Sequence, residues 1–303
     1  MNNPNEKKHK EVIAVLVIGK KWTDIFNKTY RKCFEDYAKK INAELVIIDD
    51  YIKKSDKRAP WQKLLIFDHP KISKYDRAMF MDADIYITKH ARNPFDILKN
   101  RPWGIVDNNP YNLEFLRETE PQLYNYCPVE NHPEKMINSG VFIISKEYKP
   151  MLDMIYERYP EQPCCDNGPL SYHLLNDGKG VLLPEEFNTI FYCYRFAHGW
   201  GLSKILKMYH ENSFIHFAGN KGIMLLPLVK YIDTHDKSIL KSIIYFFGKE
   251  KFDPATAFVI DIAGKAYAAY CYHIRRRFLK YITNFKLRNA KIYDLVEQKH
   301  LKK

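Results

Sequence analysis

Residues 75–90 read YDRAMFMDADIYITKH. Ala78, Met79, Phe80 and Met81 form a short apolar run bounded by charge, the pattern of a strand buried on both faces. Asp82 and Asp84 follow, one residue apart, and Ile85, Tyr86 and Ile87 resume the apolar pattern. Two carboxylates at the end of a buried strand are costly unless something neutralises them. A divalent cation does so, and hard oxygen ligands suit Mg²⁺ or Mn²⁺. The competing reading is an exposed turn, since Asp-x-Asp by itself is common.

Upstream, residues 12–18 (VIAVLVI) fit a central parallel strand. Residues 19–22 (GKKW) break it. In an open α/β sheet, ligands bind beyond the carboxyl ends of the strands, so Gly19 and Trp22 are candidates for contact with a nucleotide base. Packing is the alternative role for Trp22. Phe26, Tyr30, Cys33, Phe34, Tyr37 and Ile41 recur at three- and four-residue steps and predict one amphipathic helix. Residues 44–48 (ELVII) supply a second strand, and the order is βαβ, the start of a Rossmann-like sheet. Residues 51–59 are charged and loop-like. Pro60, Trp61, Gln62 and Lys63 then open a helical segment with Leu64, Leu65 and Phe67 toward the core.

Downstream, residues 103–107 (WGIVD) read as a strand, and residues 108–135, rich in Pro, Asn and aromatics, as a long loop over the site. Tyr111, Tyr124 and Tyr126 are its candidates to face an acceptor. Residues 136–144 (MINSGVFII) form another strand in which Gly140 permits close backbone approach and Asn138 offers a donor and an acceptor. A helix over residues 148–159 ends at Pro160. Asp166, a good helix N-cap, and Asn167 precede a further helix. Residues 181–188 hold an apolar strand, then Pro184, Phe187 and Asn188, read as structural. Residues 191–201 are aromatic, a second candidate wall for an acceptor cleft. Residues 213–217 form a strand carrying His216, then Gly219 and Lys221.

The chain has 303 residues, enough for one large α/β domain with an appendage or for two small domains. No stretch of about 18 apolar residues occurs, so no membrane-spanning helix is expected. The polar start MNNPNEKKHKE has no secretory apolar segment. The six cysteines lack zinc-site spacing and read as reduced thiols, which points to the cytoplasm. Net charge is +12, and residues 238–303 hold ten Lys and four Arg against two Glu and three Asp. Aromatic and aliphatic residues at helical spacing there (Tyr267, Tyr270, Ile274, Phe278, Tyr281) are surrounded by basic ones. Such a helix suits an anionic membrane surface, and peripheral attachment at the inner face of a membrane is one expectation. A helix packed on the main domain is the other. Nucleic acid is disfavoured as a partner because no binding motif accompanies the charge.

Taken in order, Trp-x-Lys at 61–63, Asp-x-Asp at 82–84, Asn-Ser-Gly at 138–140, Asp166, Leu-Pro with Phe-Asn at 183–188, and His-x-x-Gly at 216–219 resemble the GT-A-fold glycosyltransferases. The closest likeness is to the retaining, glycogenin-like family 8, over roughly residues 12–222. The resemblance implies a Rossmann-like mixed sheet flanked by helices, a UDP-sugar donor and Mn²⁺, with Mg²⁺ the alternative. It implies Asp82, Asp84 and His216 as metal ligands. Lys63, Arg77, Ala83, Ser139, Gly219 and Lys221 join the donor contacts. Asp166 and Asn138 would orient the sugar, and Asn167 stands where the family places Gln beside the reacting carbon. Lys221 departs from the pattern: it lies five residues after His216, not six. A hexosyl group would pass to a hydroxyl of a glycan or lipid-linked sugar, with retention. The rival readings are an inverting GT-A enzyme and a non-catalytic basic binding protein on a degenerate transferase fold. The expected organisation is a flexible leader (1–11), the transferase domain (12–235) and a basic, mostly helical extension (236–303).

Overall fold

The structure, a computed structural model, describes residues 9–124, 126–161, 166–199 and 202–220. The chain begins β1 (Glu11–Leu16), α1 (Lys20–Thr29), α2 (Arg31–Lys40), β2 (Glu44–Ile48), a 3₁₀ helix (Ala59–Asp68), β3 (Arg77–Met81) and β4 (Ile85–Ile87). It continues α3 (Phe95–Leu98), β5 (Trp103–Asp107), α4 (Glu114–Thr119), β6 (Ile137–Ser145), α5 (Lys149–Arg158), α6 (Asn167–Asp177) and β7 (Val181–Leu183). The last described elements are β8 (Thr189–Ile190), α7 (Phe191–His198), α8 (Leu202–Glu211) and β9 (Phe214–His216).

Six strands form a mixed sheet in the order β2-β1-β3-β6-β5-β7. β1 runs parallel to β2 and β3, β6 runs antiparallel to β3 and β5, and β7 is parallel to β5. Every residue of β3 is buried, as its unbroken apolar run requires. One face of the sheet (Val12, Ala14, Ala78, Phe80, Phe142, Ile144) packs in one core with Trp61, Leu64, Leu152, Ile155 and Leu170. Phe80 and Phe142, directly opposed across β3 and β6, stack at 5.3 Å between ring centres. A smaller sheet, β4-β9-β8, stands beside the first, and the three residues Asp82, Ala83 and Asp84 join β3 of the one to β4 of the other.

Three expectations change. The amphipathic pattern over 26–41 predicts one helix, but two form, broken at Tyr30, and Trp22 lies in the first turn of α1 instead of a loop. Glu11 belongs to β1, paired with Arg77 of β3, so the strand starts one residue earlier than its apolar run. The segment 108–135 is partly ordered by α4 and 3₁₀ turns, and it turns Tyr124 into the core, where its hydroxyl donates to the Lys135 carbonyl at 2.6 Å. Tyr111 packs edge-on against Tyr194 and His198. The leader's first eight residues, Lys221 and the basic extension at 236–303 lie outside the described residues. Among the described residues, no helix is long and apolar enough to cross a membrane.

The same segment buries Glu120, 7% exposed, with Asn108 Nδ2 donating to its Oε1 at 2.9 Å. Burial pushes this carboxyl up from 4.5 to about 7. In the unfolded chain it ionises near 4.5, so ionisation costs the folded state stability as pH rises from about 4.5 to about 7. Glu120→Gln removes that cost. The variant should unfold at a higher temperature than wild type at pH 8, by about 1–3 kcal/mol, with little difference at pH 4. Paired thermal melts at the two pH values measure it.

Candidate metal and donor site

β1 and β3 are parallel neighbours, with β2 on the far side of β1, so the chain reverses its direction of growth between them. Ligands of open α/β sheets bind beyond the carboxyl ends of strands at such a point. A cavity of about 250 Å³ opens there. Leu16, Ile18, Trp22 and Pro60 give it an apolar wall, and Lys63, Asp82, Asp84 and Gly219 a polar one.

Asp82 is fixed by its backbone N–H, which donates to the Gly140 carbonyl at 2.7 Å as β3 leaves the ladder. Asp84 is buried beside it and pairs through its carbonyl with the Phe217 N–H, at the end of the strand carrying His216. His216 Nε2 lies 3.2 Å from Asp84 Oδ1 and 3.8 Å from Asp82 Oδ2. One ligand atom from each of the three residues can be chosen so that all lie within 4.8 Å of one another. Gly219, in the left-handed region at φ 66°, donates its N–H to Asp84 Oδ2 at 2.9 Å.

Lys63 is the only described cation shown within 4 Å of these carboxylates. It is buried on the 3₁₀ helix, and its Nζ lies 3.1 Å from Asp82 Oδ1, 3.1 Å from Ser139 Oγ and 3.8 Å from Asp166 Oδ1. Asp166 stands at the start of α6, 2% exposed, but its side chain makes no capping bond; Oδ1 faces Lys63 and Oδ2 is buried without a hydrogen-bond partner. Burial holds the Asp82 and Asp166 carboxyls above the usual carboxylate range against the pull of Lys63. For Asp84, burial acts the same way, but His216 and the Gly219 N–H overcome it and hold the carboxyl low. For His216, burial works to lower the pKa, and the two carboxylates reverse the sign and raise it.

Asn138-Ser139-Gly140 sits in an irregularity. The β5–β6 register jumps from Ile105 opposite Phe142 to Val106 opposite Asn138, which leaves residues 139–141 without partners on β5. Such a bulge re-aims side chains. Asn138 Oδ1 accepts from the Gly140 N–H and from Asn188 Nδ2, both at 2.9 Å. Asn167 Oδ1 accepts from the Ser139 N–H at 3.0 Å and Ser139 Oγ at 2.5 Å. The carbonyl that would approach a reacting carbon is therefore occupied in tying α6 to β6. A Cβ on Gly140 would lie 2.4 Å from His216 Cε1, so the imidazole occupies the space a side chain would take.

The residue missed from sequence is Asn188. It is buried, and its Oδ1 meets His216 Nδ1 at 2.8 Å while its Nδ2 is committed to Asn138. His216 Nδ1–H must then be the donor, which turns the Nε2 lone pair toward Asp84 and Asp82. A Phe-Asn pair after a proline carries no metal-site signal; only the fold brings it to the imidazole.

Arg77 is a correction. It opens β3, at the opposite end of the strand from Asp82, and its guanidinium faces Glu11 at 3.9 Å. It lines a separate cavity with Ser145 and Lys146. A residue four positions before the strand's carboxyl end cannot reach a ligand bound beyond that end. Gly19, at φ 90°, starts α1 beyond β1, as a site at the carboxyl ends of the strands requires.

The residues fit a divalent metal. Three carboxylates meet here, Asp82 and Asp166 on the Lys63 ammonium and Asp84 on His216, so with all three ionised and His216 neutral the cluster carries an excess of two negative charges. A dication removes that excess, and a set of carboxylate oxygens with one imidazole is a donor set that divalent metals accept.

No protein-family model matches the chain, and no curated protein matches it. Among solved structures, it is similar to the crystal structure of a glycosyltransferase involved in the glycosylation of the major capsid of PBCV-1. The two share 12% sequence identity at a TM-score of 0.48, over 68% of this chain and 94% of that one.

Proposed function

We propose that this protein is a GT-A-fold glycosyltransferase that uses Mn²⁺ to move a hexosyl group from a UDP-sugar to a hydroxyl acceptor on a glycan or lipid-linked sugar. The observation that carries the reading is the convergence of Asp82, Asp84 and His216 from two separate parts of the chain beside a cavity with an apolar wall. The metal would supply positive charge at a departing diphosphate. The cavity's apolar wall at Trp22 and Pro60 suits the nucleobase. Asp166 Oδ2, buried without a partner, suits a sugar hydroxyl as its donor. Asn138 and Asn167 then act by holding the bulge in place.

With Asp166 pinned beside Lys63, we favour front-face substitution, which retains anomeric configuration. The bond from the anomeric carbon to the diphosphate oxygen breaks, and a bond from that carbon to the acceptor oxygen forms on the same face. The acceptor's proton passes to the departing phosphate oxygen. Lys221 and the basic segment 236–303 are proposed, from sequence, to meet the diphosphate and an anionic membrane surface.

The test is a panel of nucleotide sugars, each with Mn²⁺ and with EDTA, read by thermal shift and UDP release. A ligand at 100 times its Kd stabilises the folded state by about 2.7 kcal/mol. Mn²⁺-dependent stabilisation by one UDP-sugar, with slow UDP release, is expected. No response to any nucleotide with metal present would reject the reading and leave the basic, non-catalytic alternative.

A further inference from the structure

The hydrogen-bond chain behind His216 does not end at Asn138. Asn138 Nδ2 donates to Asn108 Oδ1 at 3.0 Å, and Asn108 Nδ2 donates to Glu120 Oε1 at 2.9 Å. From the imidazole outward, every link runs the same way: His216 Nδ1–H to Asn188, Asn188 to Asn138, Asn138 to Asn108, Asn108 to Glu120. The order is dictated, since each amide has its N–H₂ on one neighbour and its carbonyl on the other. Backbone groups fix the direction in the middle of the chain: the Gly140 N–H donates to Asn138 Oδ1 at 2.9 Å and the Asn138 carbonyl accepts from Asn188 Nδ2 at 3.3 Å, and the Glu120 carboxyl agrees with that direction at the far end by accepting from Asn108. Glu120, Asn108, Asn188 and His216 are all buried, where a reversed link would leave polar atoms unpaired.

We propose that Glu120 and Asn108 are positioning residues for the metal site: they anchor the Nδ2 side of Asn138, whose Oδ1 the Gly140 N–H holds, and so brace the Asn138–Asn188 pair that keeps His216 with Nε2 toward the metal. The inference rests on the metal reading above and extends it to the segment after β5, two links beyond the groups that touch the imidazole's partner. A flipped Asn188 amide would present N–H₂ to His216 Nδ1, favour the other tautomer, and place an N–H where the metal must bind. The relay thus links the backbone of residues 108–120 to metal affinity.

The experiment is Mn²⁺ affinity, read as free Mn²⁺ by electron paramagnetic resonance on the full chain. Asn188→Ala should weaken binding about 10- to 100-fold, the usual effect of losing the group that orients a metal-bound histidine. Glu120→Ala should weaken it roughly 5-fold, a smaller share of that effect because it acts through three amides. Glu120→Gln, which keeps an acceptor for Asn108, should stay within about 2-fold of wild type. In the Asn188→Ala background, Glu120→Ala should have no further effect, because groups acting through one another are not additive. A purely structural role predicts additive losses and no rescue by Gln. Should Glu120→Ala not fold, Asn108→Ala removes the acceptor of Asn138 Nδ2 directly and should weaken binding by at least as much. An unchanged Kd in both Glu120→Ala and Asn108→Ala, or fully additive losses, overturns the relay while the metal site stands. Absence of Mn²⁺ binding in wild type overturns both.

Discussion

Asp84→Asn should lower UDP-sugar turnover by at least about 100-fold and leave the protein folded. The substitution keeps the shape that matters to the fold. An amide oxygen can still accept from the Gly219 N–H, and the Asp84 carbonyl still receives the Phe217 N–H. What it removes is one of the two ligand charges, at the position closest to His216. Mn²⁺ affinity and turnover should fall together while the thermal midpoint without metal stays near wild type. Turnover within a few-fold of wild type in this variant would remove the metal-site assignment.

Lys63→Met should cost about 3–5 kcal/mol of stability, on the order of 10 °C in the melting temperature. The methionine fills most of the lysine's volume, so packing changes little. The loss comes from the two carboxylates left behind. Asp166 is fully enclosed, and Asp82 shares the same ammonium, so each loses its nearby cation. Lys63→Arg should not restore stability, because a planar fork does not fit a pocket shaped for a point charge against the Phe80 ring. Lys71→Met, at an exposed position, serves as the control and should shift stability by less than about 0.5 kcal/mol. Chemical denaturation of the three variants measures the difference.

The elements that create the cavity are readable from sequence, because strands buried on both faces must be apolar throughout. β1, β3 and β6 announce themselves in this way, and Asp82 and Asp84 stand out because they interrupt such a run. His216 is legible only through the spacing to Gly219, since an isolated histidine after a strand resembles many packed ones. Lys63 reads as an ordinary charged residue; its burial depends on carboxylates 19 and 103 positions away. Asn188, Asn108 and Glu120 carry no periodic signal at all, because their partners come from distant segments and amides and acids look alike on surfaces. The break at Tyr30 is equally silent, since both helices continue the same apolar stripe. Arg77 misleads for a simpler reason: proximity in sequence to Asp82 hides the length of the strand between them.

The contact between Gly140 and the His216 ring joins two short motifs into one unit of inheritance. Neither position can drift alone: any side chain at 140 evicts the imidazole from its present pose, whatever else survives. In a diverged copy of this chain, alanine at that glycine would mark a site retired from metal chemistry even with both aspartates and the histidine still written in the sequence. The fate of the metal centre can thus be read from a residue that never touches the ion.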